Sequence, residues 1–216
     1  MALRYDCSSA SGRSAGLSAA ALAVRRGELV VLPTDTVYGI GADAFNLEAV
    51  DGLLRAKGRD RDRAMPSPVL VASSDALHDL VTDFPEQGWA LVEAFWPGGL
   101  TLVARHRPTL DWDLGETHGT VAVRMPSHPV ALDLLAETGP MAVSSANLTR
   151  QPSPQDCDAA QGMLGDSVAV YLDGGPTAAA VASSIVDLTG EVPILKRAGA
   201  VSAERLLKLV PDLQEP

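Results

Sequence analysis

At 216 residues the chain is near the upper end for one domain and short for two, so a single α/β or α+β domain is the default. An apolar fraction of 46% and a charged fraction of 20% exclude wholesale disorder, while 4% aromatic residues leave the core to aliphatic side chains. A net charge of -10, from 27 acids against 17 bases, excludes non-specific coating of DNA or RNA, because phosphate affinity comes from basic surface.

In chain order, the Ala-rich residues 15–26 read as a helix, and the apolar run 28–33 as a buried strand stopped by proline. Gly39-Ile-Gly-Ala-Asp-Ala44 matches a G-x-G-x-x-A pattern. The next helix cap falls too late for a dinucleotide loop, so these glycines are read as serving turn geometry. Asn46 caps a helix with Leu47, Val50, Leu53 and Leu54 on one face, and Gly58 stands at its C′ position. Residues 69–73 read as a strand, 74–82 and 86–95 as helices, and 101–104 and 120–124 as strands. A helix over 128–138, a strand over 141–144 and a helix near 155–164 follow. Strands at 168–172, 184–188 and 194–197 and a closing helix at 202–210 complete the chain. Such a series implies one twisted mixed sheet of about seven strands flanked by helices, in a single domain over 1–216 with its core in about 15–210.

Cys7 and Cys157 sit in no C-x-x-C motif and read as inert reduced thiols. The four histidines are scattered, none at i,i+4 spacing, which argues against a transition-metal site. The N-terminus has no apolar leader, and no segment approaches the roughly 18 apolar residues of a membrane span, so a cytoplasmic protein is expected. P-loop and G-x-S-x-G motifs are absent from the sequence.

Four segments carry chemistry. Pro33-Thr-Asp-Thr-Val-Tyr-Gly39 either orients a small polar ligand or forms a turn in which Thr34 and Asp35 bond their own backbone. Five of the seventeen bases, Arg55, Lys57, Arg59, Arg61 and Arg63, crowd into nine positions. Lys57 and Arg59, at a helix end, suit a polyphosphate; Arg61 and Arg63 alternate with acids and read as a self-neutralising loop. Ser145 and Asn147 lie two apart at a strand exit, facing a cleft or forming an Asx or Ser turn. Arg124 and Arg197 each end a strand, where a salt bridge or an anionic substrate would satisfy them.

Taken together and in this order, several segments resemble the YrdC-like family of threonylcarbamoyl-AMP synthases. They are Pro33 to Gly41, Lys57-Gly-Arg59, Trp96-Pro-Gly-Gly-Leu-Thr101, Val121 to Pro129, Ser144 to Leu148, Pro152-Ser-Pro154 and Ser183 to Asp187. The resemblance spans roughly 20–210 and implies a twisted mixed sheet with a positively charged cleft. It implies an enzyme that condenses L-threonine, bicarbonate and ATP, with nucleotide-bound Mg²⁺, into threonylcarbamoyl-AMP and pyrophosphate. Transferase partners would then modify ANN-decoding tRNAs; a weak tRNA contact and no membrane partner are expected.

By the same resemblance, Lys57 and Arg59 are catalytic. Lys57, Arg59, Thr120, Asn147, Ser153 and Arg197 bind ATP, and Thr34, Tyr38, Arg124, Ser145 and Ser183 bind threonine. No protein-held metal is implied. Rival readings are a non-catalytic RNA-binding module and a paralogue with another carbamoyl or acyl acceptor. The chain departs from the family pattern in three places. Asp60 follows Lys57-Gly-Arg59 where proline is usual, in a run to Pro66 two residues longer; Arg150 stands where glycine is common; and Ala198 replaces proline after Arg197.

Overall fold

The layers of the fold are set by β2 (Val30–Leu32), a strand with no exposed residue. In the computed structural model, which describes residues 2–59, 66–178 and 181–215, alternate β2 side chains enter different cores. Val30 and Leu32 pack with residues of α1 (Ala10–Arg25) and α5 (Pro129–Thr138). Val31 packs with α2 (Leu47–Ala56) and α6 (Cys157–Leu164) on the other face. Period-two alternation between two apolar cores is what a strand sandwiched by helices requires.

Eleven strands among the described residues form one mixed sheet. Besides β2 they are β1 (Leu3–Asp6), β3 (Gly39–Asp43), β4 (Val69–Leu70), β5 (Val81–Thr82), β6 (Leu100–His106) and β7 (Thr120–Arg124). β8 (Met141–Ser145), β9 (Val170–Asp173), β10 (Ser184–Asp187) and β11 (Ile194–Arg197) follow. Their spatial order is β1-β9-β2-β3-β8-β4-β7-β6-β10-β11, with β5 paired to β6. Short α3 (Leu77–Leu80), α4 (Glu86–Phe95) and α7 (Ala203–Leu207) complete the helices.

The fold class is as expected, but the sheet is larger than the anticipated seven strands. β1 has only four residues, and β5 lies in a stretch read as helix. The glycines of β3 were expected to make a turn and instead lie within a strand. A Cβ added at Gly39 would stand 2.6 Å from Val143 Cγ1, and one at Gly41 2.8 Å from Met141 Cε. β8 is the neighbouring strand in the sheet, and its Val143 and Met141 side chains lean over these glycines, so a side chain at either position would have to displace them.

The helix caps behave as read. Asn46 accepts the N–H of Ala49 at 3.1 Å, and Gly58 takes φ +66 after the last turn of α2. Cys7 and Cys157 are unpaired and buried, in cores on opposite faces of the sheet.

The site is positioned where the helix layer ends. Leu70 in β4 packs with α1 and α5, and its neighbour across the ladder is Arg124 of β7. Along β7, Val121 and Val123 enter the core that holds α4, whereas Thr120 and Ala122 stay half-buried on the face of Arg124. Val103 opposite Ala122, and Ile185 opposite Thr101, are half-buried as well. This half-covered face of β7, β6 and β10 is the floor on which the polar groups converge.

Candidate functional site

Arg124 is 6% exposed, and three of its guanidinium N–H groups are held within the protein. Nε donates to Gly98 O at 2.8 Å, Nη1 to Thr36 Oγ1 at 2.8 Å and Nη2 to Asp35 Oδ1 at 2.6 Å. Burial works against the arginine's charge, Asp35 offsets part of that cost, and the nearby Arg197 cation adds to it. Asp35 Oδ1 also accepts the N–H of Ser127 at 2.9 Å. Of the two readings for residues 33–39, Thr34 takes the turn. Its hydroxyl donates to Val37 O at 2.7 Å and accepts the N–H groups of Thr36 and Val37. Asp35 instead turns to Arg124, supplying the anionic partner that a buried strand-end arginine requires.

Next to this pair lies a chain of hydroxyls. Thr101 Oγ1 and Ser183 Oγ are 2.8 Å apart. Arg197 donates from Nη2 to Ser183 Oγ at 3.0 Å and from Nε to Ser183 O at 2.9 Å. The starts of β6 and β10 and the end of β11 thus place Arg197 beside Arg124.

The second cluster forms around Lys57, the C-cap of α2, whose side chain has no solvent exposure. Nζ donates to Ser145 O and, at 2.8 Å, to Asn147 O. In return Thr149 donates to Lys57 O from its N–H at 3.0 Å and its hydroxyl at 2.8 Å, while Arg59 Nε donates to Thr149 Oγ1 at 3.3 Å. Asn147 Nδ2 donates to Leu148 O and Gln151 O, both at 2.8 Å. Its Oδ1 is buried and has no partner among the described residues. Burial, reinforced by the Arg59 charge, pushes the Lys57 ammonium down to about 7. Such a lysine gains a proton when an anion arrives, and an orphaned buried oxygen awaits a donor.

Segment 34–38 touches both clusters. Thr36 receives Arg124, while Tyr38 O accepts the N–H of Ala146 at 2.8 Å and Tyr38 N–H reaches Pro154 O at 3.0 Å. Ser145, half-buried at the end of β8, lies opposite Gly39, and Ser153 is half-buried in the loop beyond. Two residues stand apart. The Tyr38 hydroxyl is sealed from solvent, donating to Gly175 O at 2.7 Å and accepting Gly174 N–H at 3.0 Å; burial raises its pKa well above the usual phenol range. Thr120 bonds Thr117 O at 2.7 Å and begins the strand that Arg124 ends, about 13 Å along it. Arg61 and Arg63, and the altered run after Arg59, lie outside the described residues.

Asp35, Thr36, Thr101 and Thr149 are site components that sequence reasoning did not select. The signal for Asp35 was present as a carboxylate inside the Pro33–Gly39 segment, but its partner lies 89 residues away. Among the described residues, no group of three or more His, Cys, Asp or Glu is placed to hold a metal ion. A concavity of about 1050 Å³ lies elsewhere, between α1, α2 and residues 166–170, and includes none of these groups.

Residues 22–199 match the Sua5/YciO/YrdC family, described as telomere recombination, and the chain belongs to that family. It is 53% identical over 206 residues to a putative threonylcarbamoyl-AMP synthase of Mycobacterium tuberculosis (strain H37Rv), covering 95% of this chain and 94% of the relative. The threonylcarbamoyl-AMP synthase of Bacillus subtilis (strain 168) is 40% identical over 192 residues, with 88% of this chain and 55% of the relative covered. The structure of P. abyssi Sua5 complexed with L-threonine superposes with a TM-score of 0.89 at 32% identity, covering 100% of this chain and 62% of that one. E. coli YciO, at 21% identity and a TM-score of 0.80, shares the fold over 97% of this chain and 98% of that one.

Proposed function

We propose that this chain is a threonylcarbamoyl-AMP synthase, condensing L-threonine, bicarbonate or CO₂, and ATP to L-threonylcarbamoyl-AMP with release of pyrophosphate. One observation carries the reading beyond relatedness. Lys57 of the K-x-R motif is bonded to the carbonyls of Ser145 and Asn147, the two named residues of the S-x-N motif, 88 and 90 residues away. The two motifs form one cation-bearing unit, joined by residues 34–38 to an arginine pair.

Arg124 takes the threonine carboxylate through its remaining guanidinium N–H groups, beside Thr34, Tyr38, Ser145 and Ser183. The threonine ammonium gives up a proton, and its nitrogen bonds the carbon of CO₂ with loss of a second proton to solvent, or that of bicarbonate with expulsion of water, leaving a carbamate. A carbamate oxygen then bonds the α-phosphorus of ATP, and the bond to the bridging oxygen breaks, expelling pyrophosphate. Lys57, Arg59 and Arg197 neutralise the charge that accumulates on the phosphates, with Thr120, Asn147 and Ser153 along the nucleotide. Tyr38 supports this side through its backbone, bonded to Ala146 N–H and Pro154 O, rather than through its hydroxyl, which the fold already employs.

The residues around Lys57 supply cations and one neutral amide oxygen, a poor cage for a divalent ion. Magnesium would be held by the phosphates and water, where it shields their charge. Downstream, the mixed anhydride is an activated acyl group, fit for a transferase acting on a tRNA adenosine. We place the reaction in the cytoplasm; none of the described helices is long and apolar enough to cross a membrane. One domain spans the described residues, in which a single sheet joins all three cores.

The direct test is pyrophosphate release from ATP and bicarbonate with and without L-threonine. Threonine-dependent release supports the assignment; salt-sensitive RNA binding without turnover would replace it with the binding-module reading.

A further inference from the structure

The ion pair of Arg124 and Asp35 has an unequal division of labour within its carboxylate. Oδ1 takes both the Arg124 guanidinium and the Ser127 N–H. Oδ2 has no hydrogen-bond partner among the described residues, and the side chain retains 19% exposure. Asp173, on the far side of the segment, is committed on both oxygens, to Gly175 N–H and to Arg4. Asp35 is therefore the carboxylate beside Arg124 with an oxygen to spare.

An α-amino acid at neutral pH carries an anion and a cation about 3 Å apart, and burying either without a counter-charge is costly. A site holding only Arg124 and Arg197 would welcome the carboxylate and repel the ammonium. We propose that Asp35 is the ammonium-binding group of the amino-acid site, with Oδ2 accepting from the α-ammonium while Arg124 holds the α-carboxylate. The inference rests on the synthase reading and names what that reading leaves open, the group that selects an α-amino acid over a simple hydroxy acid. The shared Oδ1 contact fixes the two opposite charges at one spacing, so the pair measures the zwitterion rather than either charge alone. Holding the amine also aims its nitrogen, the atom that must become the carbamate nitrogen.

The test compares L-threonine with 3-hydroxybutyrate, its analogue lacking the amine, by titration calorimetry on the full chain. The unaltered protein is expected to bind threonine at least tenfold more tightly than the analogue. Asp35→Asn should erase that gap by weakening threonine tenfold or more while leaving the analogue within threefold; Asp35→Glu, which keeps the charge, should restore part of it. Parallel weakening of both ligands would reduce Asp35 to a support for Arg124 and overturn the proposal, as would unchanged threonine binding. Equal affinity of the unaltered protein for the two ligands overturns it with no variant needed. Failure of the unaltered protein to bind threonine at all would remove the synthase reading itself, a distinct outcome.

Discussion

Lys57 Nζ donates to the carbonyl oxygen of Asn147 at 2.8 Å, across 90 residues of sequence. With its second bond to Ser145 O it stitches the end of α2 to the exit of β8. The lysine therefore has a structural duty as well as the catalytic one proposed. Lys57→Met, which keeps the hydrocarbon stem, should lower turnover by about 100-fold or more. It also leaves two carbonyls without a donor, at about 1–3 kcal/mol each where they are buried. A melting temperature several degrees lower, in a scan beside the pyrophosphate assay, is the expected companion result.

The same lysine sets a pH dependence. Its ammonium stands at about 7 in the fold against 10.5 in the open chain. Between those values the unfolded chain holds a proton that the folded chain does not, so stability gains from rising pH. The penalty of burying this charge is complete below about pH 7 and fades towards pH 10.5. A polyphosphate beside Lys57 restores its proton, so ATP binding at about pH 8 should take up close to one proton, and affinity should fall as pH rises further. Calorimetry in buffers of different ionisation enthalpy measures the uptake; Lys57→Met should abolish it.

Arg124→Lys keeps a cation but loses the planar fork that bonds Gly98, Thr36 and Asp35 together. The KM for threonine should rise at least about tenfold, with a smaller fall in kcat and an unchanged KM for ATP. A rise confined to ATP would transfer the arginine to the nucleotide side.

Thr149 accepts from Arg59 Nε and donates to Lys57 O through a single hydroxyl. Thr149→Val preserves shape and removes only that bridge. The KM for ATP should rise about three- to tenfold, and Thr149→Ser should restore it, because the hydroxyl rather than the methyl positions Arg59.

Gly199 passes close to the backbone that carries Ser183. A Cβ there would stand 2.4 Å from Ala182 O and 2.6 Å from the Ser183 carbonyl. Backbone cannot swing aside as a side-chain tip does, so Gly199→Ala should cost about 1–3 kcal/mol and displace the Arg197–Ser183 contact. Thermal unfolding reads the first effect and the KM for ATP the second.

Much of the local structure is legible in the chain itself. Asn46 and Gly58 bracket α2 through a side-chain cap and a positive φ, both properties of single residue types. β7 and β11 have the limits read from the sequence, 120–124 and 194–197. Arg150 stands at φ +70, in the left-handed region that favours glycine. The misread elements, β1, β3 and β5, are short or glycine-rich strands whose existence depends on a neighbour across the ladder.

The crowding of five bases into nine positions, Arg55 to Arg63, is legible because charge is written in the sequence, and it is what suggests a phosphate-handling segment. Where two of them, Lys57 and Arg59, reach was decided by the tertiary structure. Lys57 turns inward to Ser145 and Asn147, and Arg59 leans on Thr149. Arg124 finds Asp35 across 89 residues. Caps and periodicity act over a few residues, so local sequence determines them. These ion pairs and bonds depend on β8 lying between β3 and β4, a strand order set by how the three apolar cores close against one another.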